Sequence, residues 1–113
     1  KTYNNIVSLG DVAGIPTSKT SAAVRMQVPL AAKNLISLME GKEPVEKYDG
    51  YAACPIITEY GKVLLCEFDY DKNPKPSVPF KFMDMSQEQW LAWVLKEYIL
   101  KPMYVYGMLN GYA

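Results

Sequence analysis

The sequence predicts an α+β fold: an antiparallel β-hairpin, with residues 5–9 as the candidate third strand, packed against three to four helices. Three observations predict it. Residues 49–71, DGYAACPIITEYGKVLLCEFDYD, read as two apolar strands around a glycine-bearing turn. Residues 19–40 carry Ala23, Met26, Leu30, Leu35, Leu38 and Met39 at helical spacing. Residues 86–109 open on Ser86-Gln87-Glu88-Gln89, a capping-box pattern, and run on with Trp90, Leu91, Trp93, Val94, Leu95, Tyr98 and Ile99. A chain of 113 residues suits one modest core.

In chain order, NIVSL at residues 5–9 predicts a short strand, ended by Gly10-Asp11. Gly14 and Pro16 are turn residues, and Thr17-Ser18 is a helix N-cap pair. The first helix then covers residues 19–40, bent at Pro29 and closed by Gly41. A polar linker, residues 42–48, leads to the hairpin. Glu59-Tyr60-Gly61 predicts a three-residue loop with Gly61 left-handed. Thr58 then faces Lys62, Ile56 faces Leu64, Cys54 faces Cys66 and Ala52 faces Phe68. These pairs share one apolar face and leave Glu67 and Asp69 on the other. A two-residue loop would shift the pairing by one and separate the cysteines; the first register leaves the cleaner apolar face. Pro55 cannot donate to a ladder, so its strand is an edge strand.

Residues 72–85 read as loop. The second helix should start at Gln87, with Met85 and Trp90 as a hydrophobic staple and Glu88, Ala92 and Lys96 as its polar stripe. Pro102 should end it near Leu100, before a last short helix from Met103 to Leu109.

Composition removes several function classes. Twelve basic residues balance twelve acidic ones, so no net charge draws the chain to nucleic acid. Without histidine, and with cysteines only at 54 and 66, no zinc-ligand spacing exists and no metal site is expected. No signal peptide and no apolar run of about 18 residues is present, so no segment is expected to span a bilayer. The chain opens on Lys1-Thr2-Tyr3-Asn4-Asn5 without an initiator Met, which predicts a piece of something longer.

Three stretches carry possible chemistry. LGDVAGIPTSKTSAAV, residues 9–24, places a strand, a Gly-Asp turn and a helix N-terminus in sequence. Asp11 would accept from sugar-like hydroxyls, and the free amides of the first helical turn would favour an electron-rich ring. On composition alone the same residues are read as a plain strand–turn–helix connection whose Asp and Thr serve the backbone. Cys54 is open to three roles: structural thiol, half of a local disulfide with Cys66, or redox group with a remote partner. The aromatic C-terminal helices, with Trp90, Trp93, Tyr98, Tyr104, Tyr106 and Tyr112, suit either core packing or the membrane interface.

Residues 9–24 followed by YDGYAACPIITEYGKVLLCEFDY, residues 48–70, resemble the C-terminal part of sulfide:quinone oxidoreductases. These are FAD-dependent flavoproteins of the pyridine nucleotide-disulfide oxidoreductase superfamily, related to flavocytochrome c sulfide dehydrogenase. The resemblance rests on Gly10-Asp11 with Pro16-Thr17-Ser18-Lys19-Thr20, then Asp49-Gly50-Tyr51, Cys54-Pro55 and Glu67-Phe68-Asp69-Tyr70. It implies that Cys54 is the redox cysteine set against the flavin, partnered by a cysteine absent from these residues. Gly10 and Asp11 would contact the cofactor, with Asp11 on the ribityl chain. Lys19 and Thr20 would approach the ring, and Lys19 would help move protons. Phe80 and Tyr104 would wall the quinone. Cys66 departs from the family pattern, in which a small non-cysteine residue is usual; its default role is core filler.

The resemblance further implies that residues 1–41 end an FAD-binding domain and residues 48–113 form a quinone-site and membrane-association region. The expected function is oxidation of sulfide with electrons passed through FAD to quinone, in a chain inactive by itself. The GxGxxG motif and N-terminal domains of such a protein are missing from it. Expected partners are those domains, sulfide, quinone, a second copy and a membrane surface, with peripheral membrane attachment and otherwise a cytoplasmic location. Two rivals remain: a relative that passes electrons to a cytochrome, and a non-catalytic membrane-association or interaction module.

Overall fold

One long helix, a two-stranded sheet and a broken C-terminal helical run make up the computed structural model, which describes Tyr3, residues 5–78 and residues 80–112. Lys1, Thr2, Asn4, Ala113 and Pro79 of the expected loop lie outside the described residues.

Helix α1 is Ser21–Met39. Thr20 is its N-cap: the backbone is extended and Oγ1 accepts from the Ala23 N–H at 3.2 Å. The cap expected at Thr17-Ser18 is therefore displaced, because Thr17 Oγ1 instead donates to the Gly50 carbonyl at 2.8 Å and ties this loop to the hairpin. Pro29 lies inside the helix without interrupting it. At the other end Gly41 is left-handed, with φ +71°. Lys42 N–H donates to Ser37 and Gly41 N–H to Leu38, the paired bonds of a Schellman close.

Strands β1 (Ala52–Glu59) and β2 (Lys62–Phe68) pair antiparallel. Ala52 faces Phe68, Cys54 faces Cys66 and Ile56 faces Leu64, as the sequence predicts. Nearer the turn Glu59, not Thr58, pairs with Lys62, and the register shifts between Ile57 and Glu59. Gly61 has φ +77°, as its turn requires. Val63 exchanges both backbone bonds with Gln89, at 2.9 and 3.3 Å, so its peptide groups point away from β1. Alternation then makes 55/65 a non-hydrogen-bonded pair and 54/66 a hydrogen-bonded one. Pro55 loses no ladder bond, which explains a proline inside a strand.

The sheet buries the face opposite to the expected one. Val63, Leu65 and Glu67 are buried, while Cys54 and Ile56 are exposed. Both faces of β2 carry apolar residues, so alternation alone could not choose between them. Packing chooses: Val63 and Leu65 cluster with Ala92, and Phe80, Met83 and Trp93 close around them. Ala92, expected on the polar stripe, is 1% exposed.

Helix α2 spans Trp90–Val94, not a start at Gln87. The capping box does not form, because Ser86 Oγ donates to Asp84 at 2.7 Å. Gln89 is held extended by its two bonds to Val63, which delays the first turn. Pro102 does not end the run either. A π turn at Leu95–Ile99, helix α3 at Leu100–Pro102, a second π turn at Met103–Gly107 and a 3₁₀ turn at Met108–Asn110 continue it. Wide turns on both sides of the proline re-route the carbonyls that its missing N–H would otherwise strand.

The strand expected at residues 5–9 does not form among the described residues; residues 6–9 line a shallow cavity together with Gln27, Leu30 and Leu38 of α1 instead. A strand needs an edge, and the outer edge of β2 is taken by Gln89 and by Pro74, which bridges Phe68.

Candidate functional site

A cavity of about 680 Å³ opens where α1, the hairpin and the C-terminal run meet. The first turns of α1 supply Thr20, Ser21, Ala22 and Arg25. The sheet supplies Tyr51, Ala53, Cys54, Pro55, Leu65 and Glu67. Ser77, Val78 and Phe80 close one side; Leu95, Lys96, Leu100, Met103, Tyr104 and Met108 close the other.

The cavity is polar at one end. Glu67, 3% exposed, accepts from the Tyr51 hydroxyl, from Ser77 Oγ at 2.6 Å and from Ser77 N–H at 2.9 Å. A carboxylate with three donors can be buried without an opposing ion. Burial, and then the bond to Glu67, push the Tyr51 phenol up to about 12. Arg25 Nε is buried without a hydrogen-bond partner among the described residues. It is an unspent donor on the cavity wall. Thr20 caps Ala23, which leaves the Ser21 and Ala22 amides at the cavity without an acceptor inside the helix. Lys96 Nζ, in contrast, is engaged with the Pro55 carbonyl at 2.7 Å.

The far end is apolar, built from Leu65, Phe80, Leu95, Leu100, Met103 and Met108. Cys54 and Cys66 are both free thiols, Cys54 exposed and Cys66 half-buried. Burial, then the neighbouring Cys54, raise the Cys66 pKa above its ordinary value.

Of the residues singled out from the sequence, Cys54, Thr20, Phe80 and Tyr104 share this cavity. Gly10, Asp11 and Lys19 are not part of its wall. Gly10 has φ +67° and its N–H donates to Gln27 Oε1 at 2.8 Å. A Cβ there would stand 3.3 Å from Val24 Cγ2, so glycine keeps this loop against α1. Asp11 is exposed in a 3₁₀ turn, Gly10–Val12. Lys19 Nζ donates to the carbonyls of Ala13 and Ile15, at 2.7 and 2.9 Å, and braces the loop between them.

Ser77 and Arg25 were not singled out from the sequence, and Tyr51 and Glu67 stood there as motif residues without an assigned role. One signal was legible: Arg25 is the one arginine of the chain, set among alanines and Val24 on α1. Among the described residues no group of His, Cys, Asp or Glu is arranged to hold a metal, and no helix is long and apolar enough to cross a membrane.

No protein-family model matches the chain. It is 44% identical over 109 residues, 96% of its length, to a mitochondrial sulfide:quinone oxidoreductase of Dictyostelium discoideum. It is 38% identical over 112 residues to the Mus musculus enzyme of that name. The Schizosaccharomyces pombe enzyme matches at 39% over 97 residues, 84% of the chain. The chain spans about a quarter of the length of these relatives: 24%, 24% and 21%. A chain in a cryo-EM structure of the Tetrahymena thermophila mitochondrial ATP synthase superposes with a TM-score of 0.67 over 84% of this chain and 23% of that one. At 21% identity that likeness speaks to the fold alone. Over nearly all of its length, the chain is homologous to the C-terminal part of sulfide:quinone oxidoreductases.

Proposed function

We propose that this chain contributes the redox thiol and the quinone-facing wall of an enzyme that oxidises sulfide and passes the electrons through FAD to quinone. One observation carries the reading: Cys54, Phe80, Tyr104 and the N-terminus of α1 converge on one largely apolar cavity. Cys54 is the exposed thiol there and would attack or carry the sulfur. Phe80, Tyr104 and the apolar far end would take a planar ring and exclude water from it.

The residues present fit a flavin. The Ser21 and Ala22 amides and the unpartnered Arg25 offer donors to an electron-rich ring edge, and the positive end of α1 favours negative charge beside it. Thr20, Gly10 and Asp11 would follow the rest of the cofactor along the loop before α1. Lys19 would supply a fixed positive charge near it. When bound, the flavin supplies two-electron acceptance and onward transfer to quinone. Residues 1–41 would then complete the flavin domain, and residues 48–113 the quinone-site and membrane-association region. Cofactor and turnover both need the sequence that the longer relatives possess, so the chain alone would be inactive.

Peripheral membrane attachment belongs to the same reading. Trp90, Tyr98, Ile99, Tyr106 and Leu109 are exposed along the C-terminal run, apolar surface suited to a headgroup boundary.

The test is a graft. Residues 1–113 replace the matching quarter of the Dictyostelium discoideum relative, and flavin absorbance and sulfide-dependent quinone reduction are measured. The graft should bind flavin and turn over. Cys54→Ser should keep the absorbance and lose flavin reduction by sulfide; an unchanged rate removes Cys54 from the mechanism.

A further inference from the structure

We propose that Cys54 and Cys66 form a cross-strand thiol pair in which Cys66 resolves a persulfide on Cys54, releasing sulfide and closing a disulfide. The observations are the register and the accessibility of the two thiols. Cys54 and Cys66 are direct partners across the ladder, so both side chains rise from the same face of the sheet. The outward backbone bonds of Val63 make theirs a hydrogen-bonded pair, with α-carbons about 5.5 Å apart. That separation is the common one for disulfides. The facing β-carbons start slightly wide, so closure stores strain, and the bond stays reducible.

The two thiols differ in access. Cys54 is exposed and borders the cavity, so incoming sulfur meets it first. Cys66 is half-buried, and burial raises its pKa, so incoming polysulfide meets the more accessible Cys54 before it. The sulfur source rests on the chemistry proposed above; the pairing itself does not.

The step balances. Cys54 thiolate takes a sulfane sulfur from a polysulfide, and the shortened polysulfide leaves. Cys66 gives up its proton to solvent, and its thiolate Sγ then attacks Cys54 Sγ. The Sγ–Sγ bond forms, the bond to the sulfane sulfur breaks, and its electron pair leaves on that sulfur as HS⁻ with a proton from solvent. Two thiols are oxidised by two electrons and one sulfane sulfur is reduced to sulfide.

The experiment uses the chain alone, fully reduced and anaerobic, treated with inorganic polysulfide, then alkylated in denaturant and weighed intact. The wild type should lose two hydrogens and present no thiol to alkylate. Cys66→Ala should instead gain one sulfur on Cys54, and Cys54→Ala should leave Cys66 unmodified. A wild-type chain that keeps a stable persulfide, fails to react, or cross-links to a second chain overturns the proposal. None of these outcomes bears on whether the graft reduces flavin, so the two readings fail separately.

Discussion

Replacing Tyr51 by Phe tests what holds Glu67 in the interior. Both residues are buried, and the phenol donates to Glu67 Oε1 beside Ser77 Oγ. The substitution removes one donor and leaves the ring, so packing is kept. A hydrogen bond to a charged group contributes about 1.5–3 kcal/mol. Ser77 keeps two bonds to the carboxylate, at 2.6 and 2.9 Å, which points to the lower half of that range. With a urea slope of about 1.5 kcal/mol/M, a loss near 2 kcal/mol lowers the midpoint by about 1.3 M. Urea unfolding followed by tryptophan fluorescence reads it.

A pH arm isolates the phenol. Its folded pKa is raised to about 12 from an ordinary 10.0. The folded state therefore holds this proton more tightly than the unfolded state, and the resulting stability is whole below pH 10. It is lost as pH rises from 10 through 12, a window worth roughly 3 kcal/mol. Wild type should weaken across that window more steeply than Tyr51→Phe. Unfolding free energies within about 0.5 kcal/mol of each other at pH 7, or parallel pH profiles, refute the account of the buried cluster.

Gly50→Ala should cost about 2–4 kcal/mol in the same assay, because φ is +82° and the new Cβ would land on the Tyr70 ring. Thr20→Ala removes the α1 cap and should cost about 1 kcal/mol by thermal or urea unfolding, with Thr20→Ser restoring most of it. Asp49 sits below the ordinary carboxylate range, chiefly through its hydrogen bond to Lys75. Its small contribution is present above pH 3.8 and fades as pH falls through the lowered pKa; added salt should weaken it, as difference titration with Lys75→Met would show. Liposomes should carry the chain upward on flotation at both low and high salt, since the exposed C-terminal residues are aromatic and apolar rather than basic; failure at both removes the anchor.

What the sequence disclosed follows from which interactions are local. The Gly41 close, the left-handed Gly61 and the pairing of Cys54 with Cys66 depend on residues a few positions apart, and each was legible. The buried face of β2 was not, because Val63-Leu65 and Leu64-Cys66 are equally apolar and only the distant Ala92 helix decides. Gln89 shows the same limit: its bonds to Val63 override a sound local capping signal at Ser86. Cys54, Thr20, Phe80 and Tyr104 line one cavity. Arg25 and Ser77 join them from separate stretches that no spacing rule links, and Tyr51 and Glu67, legible as motif residues, gain their pairing only from the fold.

The faces that remain open make physical sense together. The accessible surface is 7941 Å², against about 6,200 Å² for a folded monomer of this mass. The radius of gyration is 16.1 Å, against about 13 Å for a compact chain of this length. The excess is apolar where it matters: Ile56 and Ile57 on the hairpin and Leu91, Tyr98 and Ile99 on the C-terminal run each stand roughly half exposed or more. Cys54 lies on the same open side of the hairpin as Ile56. Burial against a further protein surface would therefore enclose the thiol, the hairpin face and the cavity mouth in one step. On the function proposed above, that enclosure would keep a sulfur adduct on Cys54 away from water.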